Sequence, residues 1–312
     1  MAVEAQRTET GEEFLVDSDI LERPQYSAWR DMFQRLVRNR MALVSMIIIA
    51  ALGLSAILAP WIMPYGRDEP DFAHTREGPS AAHWFGTDKL GRDVFTRIIY
   101  GGQVSLGVAF IGSVTALAIG VFYGSLSGYG GGRIDDLMMR FVDLMYGFPT
   151  LLFIILLMLI IPPNASNALA LTGMFIGLGI VSWLGVARLV RGQFLSLREK
   201  EFVEAAVALG TSPMRIIFRH ILPSSLGPIV VWLMLAIPGL IMVEATLSFI
   251  GLGVKPPTPS WGSMLAEGWR AMRTSPWLAI APAAAISLTM LVFNFFGDGL
   301  RDALDPTMRG RD

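Results

Sequence analysis

The stretch MALVSMIIIAALGLSAILAPWIM, residues Met41–Met63, contains no charged residue. A helix needs about 20 mostly apolar residues to cross the roughly 30 Å hydrocarbon core of a bilayer, so this stretch predicts a membrane-spanning helix. Five further stretches of this kind follow: about Val104–Tyr129, Leu137–Ile161, Ala168–Val190, Pro228–Ile250 and Leu278–Phe296. Backbone groups in lipid must be paired within the segment, and strand alternation is not visible, so we expect an all-α integral membrane protein with six transmembrane helices.

The composition agrees with a membrane protein. Hydrophobic residues make up 53% of the 312 residues and charged residues 16%, against about 25% charged in an ordinary soluble domain. The net charge of −1 gives no bias toward nucleic acid. Cysteine is absent, which excludes disulfide frameworks, thiolate nucleophiles, iron–sulfur clusters and cysteine-ligated zinc. We therefore expect no metal site in this chain.

The distribution of basic residues predicts the orientation. Of the 25 Lys and Arg residues, 17 fall before span one, between spans two and three, between four and five, or after span six, when Arg140 and Arg188 are assigned to the nearest loops. Cytoplasmic loops carry the excess of basic residues, so both termini are predicted to be cytoplasmic. The first apolar run begins only at Met41 and is too long for a secretory signal, so no cleavable signal peptide is expected.

The segments outside the spans differ in character. Residues 1–26 are polar and acidic and are predicted to be a disordered cytoplasmic tail. Residues 27–40 place Trp29, Met32, Phe33, Leu36 and Val37 at helical spacing among arginines, which predicts an interfacial amphipathic helix, either a plain anchor or a regulatory element. Residues 41–63 form a peripheral first span, 64–103 an external loop, 104–298 the core, and 299–312 a cytoplasmic tail.

The external loop is too long for a simple connection. It contains Gly86, Thr87, Asp88, Gly91, Arg92 and Asp93. Thr87 or Asp88 is suited to cap a turn, and Asp93 to cap the helix that enters span two. We expect a folded external cap, with direct contact to a solute as the alternative.

The loop at 198–223, between spans four and five, predicts two short helices at an angle. Gly210 sits where a left-handed residue would end the first helix, and Ser212 and Pro213 are suited to begin the second. Pro223 is predicted to stop that helix before span five. A cytosolic elbow with a small Ala205-Ala206 face is either a docking surface for a partner or a hairpin on the lipid surface.

Four motifs give this chain a family resemblance. The loop carries Glu204-Ala205-Ala206, then Gly210 after three residues, then Leu222-Pro223, with His220 in a slot that is usually Ile. The stretches Phe85–Phe95, Glu244–Gly262 and Asn294–Pro306 occur in the matching order. Over about residues 28–308 the chain resembles the C-type permease subunit of bacterial dipeptide and oligopeptide ABC importers.

The resemblance implies a type I ABC importer permease fold in the bacterial cytoplasmic (inner) membrane. It implies that the elbow is a coupling helix seated on an ATPase subunit, with coupling assigned to a set of ten residues: Glu204, Ala205, Ala206, Gly210, Thr211, Ser212, Pro213, Met214, Leu222 and Pro223. The implied partners are a homologous second permease, two ABC ATPases, an extracytoplasmic solute-binding protein, membrane lipid and a di- or oligopeptide. ATP and Mg²⁺ would be bound by the ATPases, because this sequence has no Gly-x-x-x-x-Gly-Lys-Ser/Thr phosphate loop.

Other functions are compatible with parts of the sequence. The same architecture could import nickel chelates or glutathione, and a secondary transporter or channel is the alternative of a different class. An enzyme is disfavoured, because the three histidines lie in predicted loops and no serine in a span has one nearby. Asp143, Glu244 and Asn294 are candidates for the translocation path. An ion pair with Arg140 is the simpler account of Asp143, whereas Glu244 has no charged neighbour and would face the path or pair with another subunit.

Overall fold

A computed structural model describes residues 28–160, 162 and 167–304, and within these ranges the secondary structure is helical, with one isolated bridge between Thr87 and Asp93. Outside the described residues lie 1–27, which contain the predicted tail at 1–26, together with 161, 163–166 and 305–312. The helices are α1 Ala28–Arg38, α2 Arg40–Ile62, α3 Val94–Gly130, α4 Gly132–Tyr146, α5 Thr150–Leu159, α6 Asn167–Arg198, α7 Glu201–Ala208, α8 Pro213–Ile216, α9 Leu222–Phe249, α10 Trp261–Arg270 and α11 Trp277–Leu304.

In the described part of the chain, five helical stretches are long and apolar enough to cross a bilayer: Arg40–Ile62, Val94–Gly130, Leu171–Arg198, Pro213–Phe249 and Trp277–Leu304. The pair α4 and α5, which meet at 80°, makes a sixth when it is counted as one broken span. The all-helical membrane fold is therefore confirmed with five to six apolar spans, but a single helix over Leu137–Ile161 is wrong.

The break in the third crossing has two causes in the sequence. Pro149 cannot donate a backbone hydrogen bond and disfavours the helical conformation of Phe148, so the helix cannot run through this point. The part before the break also carries charge, including the buried Asp135 and the exposed Asp143, which a lipid-facing helix would not tolerate. The apolar α5 therefore forms a separate helix.

The second helix of the predicted elbow is also different from the expectation. Pro223 does not end it, because α8 continues through a π-helical turn at Ile217–Ile221 directly into α9. The backbone N–H of Leu222 donates to the carbonyl of Ile217, five residues earlier. This wider turn lets the chain pass a proline that has no N–H to donate.

The core is built on the close packing of α3 against α6, which is the most extensive helix contact in the described part of the chain. Glycines on α3 make this approach possible. A Cβ at Gly120 would stand 2.4 Å from the Cβ of Val186, and a Cβ at Gly128 would stand 2.6 Å from the Cβ of Phe194. The small-residue pattern of this span is therefore used for packing within the chain.

The amphipathic α1 is present at Ala28–Arg38, inside the predicted 27–40. Asn39 separates it from α2 and caps α2 by accepting hydrogen bonds from the backbone N–H groups of Met41 and Ala42. Leu36 packs in a small cluster with Val231 of α9 and Leu300 of α11. The N-terminal helices are thus held against the outside of the core.

Candidate functional site

The elbow between α6 and α9 is formed by α7, a tight turn at Gly210 and α8. Gly210 has φ of +71°, a left-handed conformation that glycine adopts without steric cost. The N–H of Gly210 donates to the carbonyl of Val207 at 2.9 Å, and the N–H of Thr211 donates to that of Ala206 at 3.1 Å. These two bonds are the pair that defines a Schellman motif, which ends a helix in a sharp turn.

One side of the elbow is anchored in the core. Val203 and Ala206 of α7 and Ile216 of α8 are buried in a hydrophobic cluster with Val186 and Phe194 of α6. The elbow therefore moves with α6 and is not an independent loop on the surface.

The other side of the elbow is exposed and apolar. Phe202, Val207, Leu209, Met214 and Phe218 are each more than two-fifths exposed, and Leu209 reaches 85%. We call these five residues the elbow patch. A patch of this kind is covered either by a partner or by lipid, because leaving large apolar side chains in water is unfavourable.

The ten predicted coupling residues differ in their exposure to solvent. Glu204, Ala205, Gly210, Ser212, Pro213, Met214 and Pro223 are exposed, Thr211 and Leu222 are half-buried, and Ala206 is buried. The predicted Ala205-Ala206 face is therefore split, with Ala205 outside and Ala206 inside. Ser212 takes the N-cap position before Pro213 as predicted, although its side chain makes no capping hydrogen bond.

The predicted external cap is folded around Asp88. One carboxylate oxygen accepts from the backbone N–H groups of Leu90 and Arg92, at 2.8 and 3.1 Å, and so caps a turn. The other accepts from Nε and Nη2 of Arg92, at 2.8 and 2.7 Å, and from Arg97 Nη1. Asp88, Arg92 and Arg97 are all buried. This single carboxylate therefore joins the turn to the start of α3.

The Asp88 carboxyl stays ionised in this setting. Burial by itself raises the pKa of Asp88, but the hydrogen bond from Arg92 and the positive charges of Arg97 and Arg92 outweigh it, so the pKa lies below its ordinary value. The folded cap thus depends on a charged Asp88.

The other cap residues complete the turn. Asp93 is the N-cap of α3, as predicted, and accepts from the N–H of Thr96 at 2.7 Å, while its second oxygen lies 3.0 Å from Nδ1 of His83. The N–H of Thr87 donates to the carbonyl of Glu77 at 3.0 Å. The structure therefore brings the six predicted cap residues together.

The two glycines of the cap are required by its backbone. Gly86 has φ of +72° and Gly91 of +76°. A Cβ at Gly91 would stand 1.6 Å from the carbonyl oxygen of Asp71, so no side chain fits there.

Glu244 is fully buried inside this chain. Ser105 of α3 donates to one carboxylate oxygen at 3.0 Å, and Ser248, one turn further along α9, donates to the other at 2.7 Å. The backbone N–H of Trp261 donates to the Ser105 hydroxyl at 3.1 Å. Glu244 therefore joins α3, α9 and the start of α10, and its role in a path stays a prediction.

Asp143 does not pair with Arg140 as the sequence suggested. It forms an ion pair with Arg188 of α6, whose guanidinium also lies over the ring of Tyr146, 4.1 Å from its centroid. The sequence could not favour this partner, because Arg188 is 45 residues away. Asn294 is exposed on α11. The structure does not bring Asp143, Glu244 and Asn294 into one cluster.

Sequence reasoning missed several residues that hold these sites together. Arg97 and Glu267 complete the charged cluster of the cap, and Arg191 forms a two-fold hydrogen-bonded pair with Asp135 at 2.5 and 2.6 Å. Trp261, which was noted only as part of a motif, packs against Gly101 and donates from Nε1 to the carbonyl of Ile98 at 2.9 Å. Arg191 and Asp135 both lie just outside the predicted spans, so charge within an apolar stretch gave no signal for this pair.

Two protein families match the chain. The family described as "Binding-protein-dependent transport system inner membrane component" matches residues 120–310. The family described as "N-terminal TM domain of oligopeptide transport permease C" matches residues 27–79.

Curated relatives match over nearly the full length. The oligopeptide transport system permease protein OppC of Haemophilus influenzae is 45% identical over 285 residues, 91% of this chain and 90% of that protein. The dipeptide transport system permease protein DppC of Bacillus subtilis is 41% identical, over 94% of this chain and 90% of that protein. The glutathione transport system permease protein GsiD of Escherichia coli is also 41% identical, over 90% and 91%.

A solved structure with a similar fold is the inward-facing MetNI methionine ABC transporter. It superposes with a TM-score of 0.53 at 16% identity, covering 68% of this chain and 96% of that one. At this level of identity the similarity concerns the fold.

Proposed function

Because the chain belongs to the family of binding-protein-dependent inner-membrane transport components, we propose that it is the C-type permease subunit of an ATP-driven importer of di- and oligopeptides. It is a multi-pass protein of the bacterial inner membrane and breaks no bond in its solute. Family membership and the fold favour this function over a channel or a secondary transporter.

The observation that carries the coupling role is the elbow. Its inner side is locked into the core next to α6, and its outer side presents the elbow patch. A surface that is rigidly joined to a spanning helix can transmit a push from a docked partner, whereas a flexible loop cannot. This supports docking to an ATPase over a hairpin that binds only lipid, and the ATPases would supply the sites for ATP and Mg²⁺.

Docking predicts an orientation. The elbow would face the cytoplasm together with both termini, and the cap around Asp88 would face outward, where a solute-binding protein delivers peptide. A single cysteine at Ser80 should react with a membrane-impermeant maleimide in whole cells, and one at Ser212 only in inverted vesicles. The chain has no native cysteine to interfere. The reverse labelling would refute this orientation.

The exposed Leu209 gives a direct test of the docking surface. We expect Leu209→Glu to abolish co-purification of the ATPase subunits with the permease pair, because it places a charge in the middle of an apolar contact. The unfolding temperature should not change, since this side chain is 85% exposed. Leu209→Met is the matched control and should retain the ATPases. Full retention by the glutamate variant would contradict docking at the elbow.

A second solute has specific support, since a glutathione permease is as similar to this chain as a dipeptide permease. Competition of labelled tripeptide uptake by unlabelled dipeptide, tetrapeptide and glutathione would rank them. We expect the ordinary peptides to compete and glutathione to compete weakly. Strong competition by glutathione alone would reassign the solute.

A further inference from the structure

A cavity of about 190 Å³ opens between the cap and α10. Asp88 and Arg97, both buried, line its inner part together with the half-buried Glu267. Three exposed basic residues, Arg76, Lys89 and Arg270, line its outer part. Gly268 forms one wall and allows α10 to touch the start of α11, since a Cβ there would stand 2.2 Å from the carbonyl oxygen of Leu278.

The charges of this cavity are not balanced. Arg92 and Arg97 are both buried and share the single buried carboxylate of Asp88. Glu267 lies 4.0 Å from a nitrogen of each guanidinium and 3.9 Å from Nζ of Lys89, which is beyond hydrogen-bond distance, so one half-buried carboxylate is shared by three cations. The Nε of Arg97 is buried and has no hydrogen-bond partner. A buried guanidinium with unfilled donors is costly, so another carboxylate entering the cavity would be stabilised.

The size of the cavity limits what can enter. Sites for small organic ligands usually measure about 300–1,000 Å³. This cavity is too small for a peptide but large enough for one carboxylate-bearing side chain. The ring of exposed basic residues would also attract an acidic surface from a distance.

We propose that this cavity receives an Asp or Glu side chain of the extracytoplasmic solute-binding protein. The inference rests on the proposed function, because it requires such a partner on the side of the cap. Arg97 would donate to the incoming carboxylate from the inner end, and Lys89 and Arg270 would hold it at the entrance.

Lys89 makes the contact chemically traceable. A carbodiimide joins an amine to a carboxylate only when the two groups touch, and this chain has only three lysines, Lys89, Lys200 and Lys255. In the complete complex in nanodiscs with binding protein and peptide, we expect an amide between Lys89 and a binding-protein carboxylate, found by mass spectrometry. Lys200, beside the elbow, should give no link to that protein. Lys89→Arg should lose the link, because a guanidinium does not form the amide that the carbodiimide makes with a lysine amine.

Charge reversal tests the energetics. The double variant Lys89→Glu, Arg270→Glu should raise the binding-protein concentration for half-maximal ATPase stimulation at least tenfold, with the maximal rate unchanged and a smaller difference at high salt. Arg273→Glu is the control, because this exposed residue does not line the cavity and should have little effect. The absence of both the Lys89 link and the shift would overturn the proposal, as would an equal shift for Arg273→Glu.

Two other sources of the carboxylate or of an anion give different results. The charge reversal would instead raise only the peptide concentration for half-maximal ATPase stimulation if the cavity bound the carboxylate at the peptide's C-terminus. This increase would be absent with C-terminally amidated peptides, and it would overturn the proposal. An effect of the charge reversal on ATP hydrolysis that changes with the phosphatidylglycerol content of the nanodisc, and not with the binding-protein concentration, would assign the site to lipid. This result would also overturn the proposal. If neither binding protein nor peptide stimulated ATP hydrolysis by the wild-type complex, the proposed function itself would be wrong.

Discussion

Gly210 at the corner of the elbow combines a left-handed backbone with open space around it. No heavy atom lies within 4 Å of the place where a Cβ would stand, so a substitution there meets only the backbone cost of φ +71°. That cost is about 1–2 kcal/mol for most residues, is higher for a β-branched one, and is lower for Asn, which tolerates this conformation.

Replacing Gly210 by Val should therefore reduce peptide uptake by at least tenfold, because the Schellman turn must open and the elbow patch is displaced. Gly210→Asn should keep at least half of the uptake. Membrane insertion, measured by protease protection, should be normal in both. Equal uptake by the Val and Asn variants would show that the turn geometry does not matter for coupling.

Asp88 is the residue on which the cap depends. Removing its charge leaves two buried guanidiniums without their shared partner, and breaking a buried pair in this way costs about 3–5 kcal/mol. We expect Asp88→Asn to unfold the cap locally and to raise amide hydrogen exchange at residues 86–94. Glu77→Gln, a charge loss in the exposed part of the loop, is the control. Unchanged exchange in the Asn variant would contradict this role.

The pKa of Asp88 also predicts how the cap responds to acid. Its pKa is lowered in the folded protein, so the carboxylate stabilises the cap fully above the pKa of an unfolded Asp, about 3.9. This contribution is lost as the pH falls through the lower folded value. Hydrogen exchange of the cap should be flat from pH 7 to 5, after correction for the intrinsic rate, and should rise only below about pH 4. Opening already near pH 6 would point to another group.

At the scale of elements, the sequence predicts correctly the features that depend on neighbouring residues alone. Composition alone predicts the apolar crossings, and the caps at Asp93 and Gly210 follow from residue type and spacing. The errors lie where distant residues decide. Asp143 is paired with Arg188 rather than with its neighbour Arg140, and Glu267 joins the cap cluster through tertiary packing. No single-sequence pattern reports such contacts.

The two prolines show the limit of a local rule. Pro149 breaks the helix that the sequence predicts over Leu137–Ile161, whereas Pro223, predicted to stop a helix, is accommodated by a π-helical turn. The rule that proline removes a hydrogen bond holds at both positions. The two positions differ in whether tertiary packing holds the helices before and after the proline in line. This packing cannot be predicted from the sequence around the proline.

The buried group around Glu244 ties three elements together, which gives it a testable structural role. Glu244→Leu should lower stability, by about 1–3 kcal/mol for each of the Ser105 and Ser248 hydroxyl groups that loses the acceptor of its hydrogen. Glu244→Gln keeps the shape and can still accept a hydrogen bond, so its stability and uptake should stay near wild type. Stability is measured by thermal unfolding in nanodiscs, and transport by peptide uptake. A Gln variant that is stable but inactive would place the charge in transport.

At the scale of the whole molecule, the two larger hydrophobic clusters of the described residues lie one toward the cap and one toward the elbow. One contains Val94, Trp261 and Leu278 near the cap, and the other contains Val186 and Ile216 near the elbow. Both α3 and α6 contribute to both clusters. Under the proposed function, a movement of the elbow would be passed along these two tightly packed helices toward the end that carries the cap.

The most direct test is uptake of a labelled tripeptide by proteoliposomes that contain the complete complex, with binding protein outside and ATP enclosed. We predict uptake that requires both ATP and binding protein, and that falls at least tenfold with Leu209→Glu but not with Leu209→Met. Uptake that proceeds without ATP on a proton gradient, or that is unchanged by Leu209→Glu, would contradict the account.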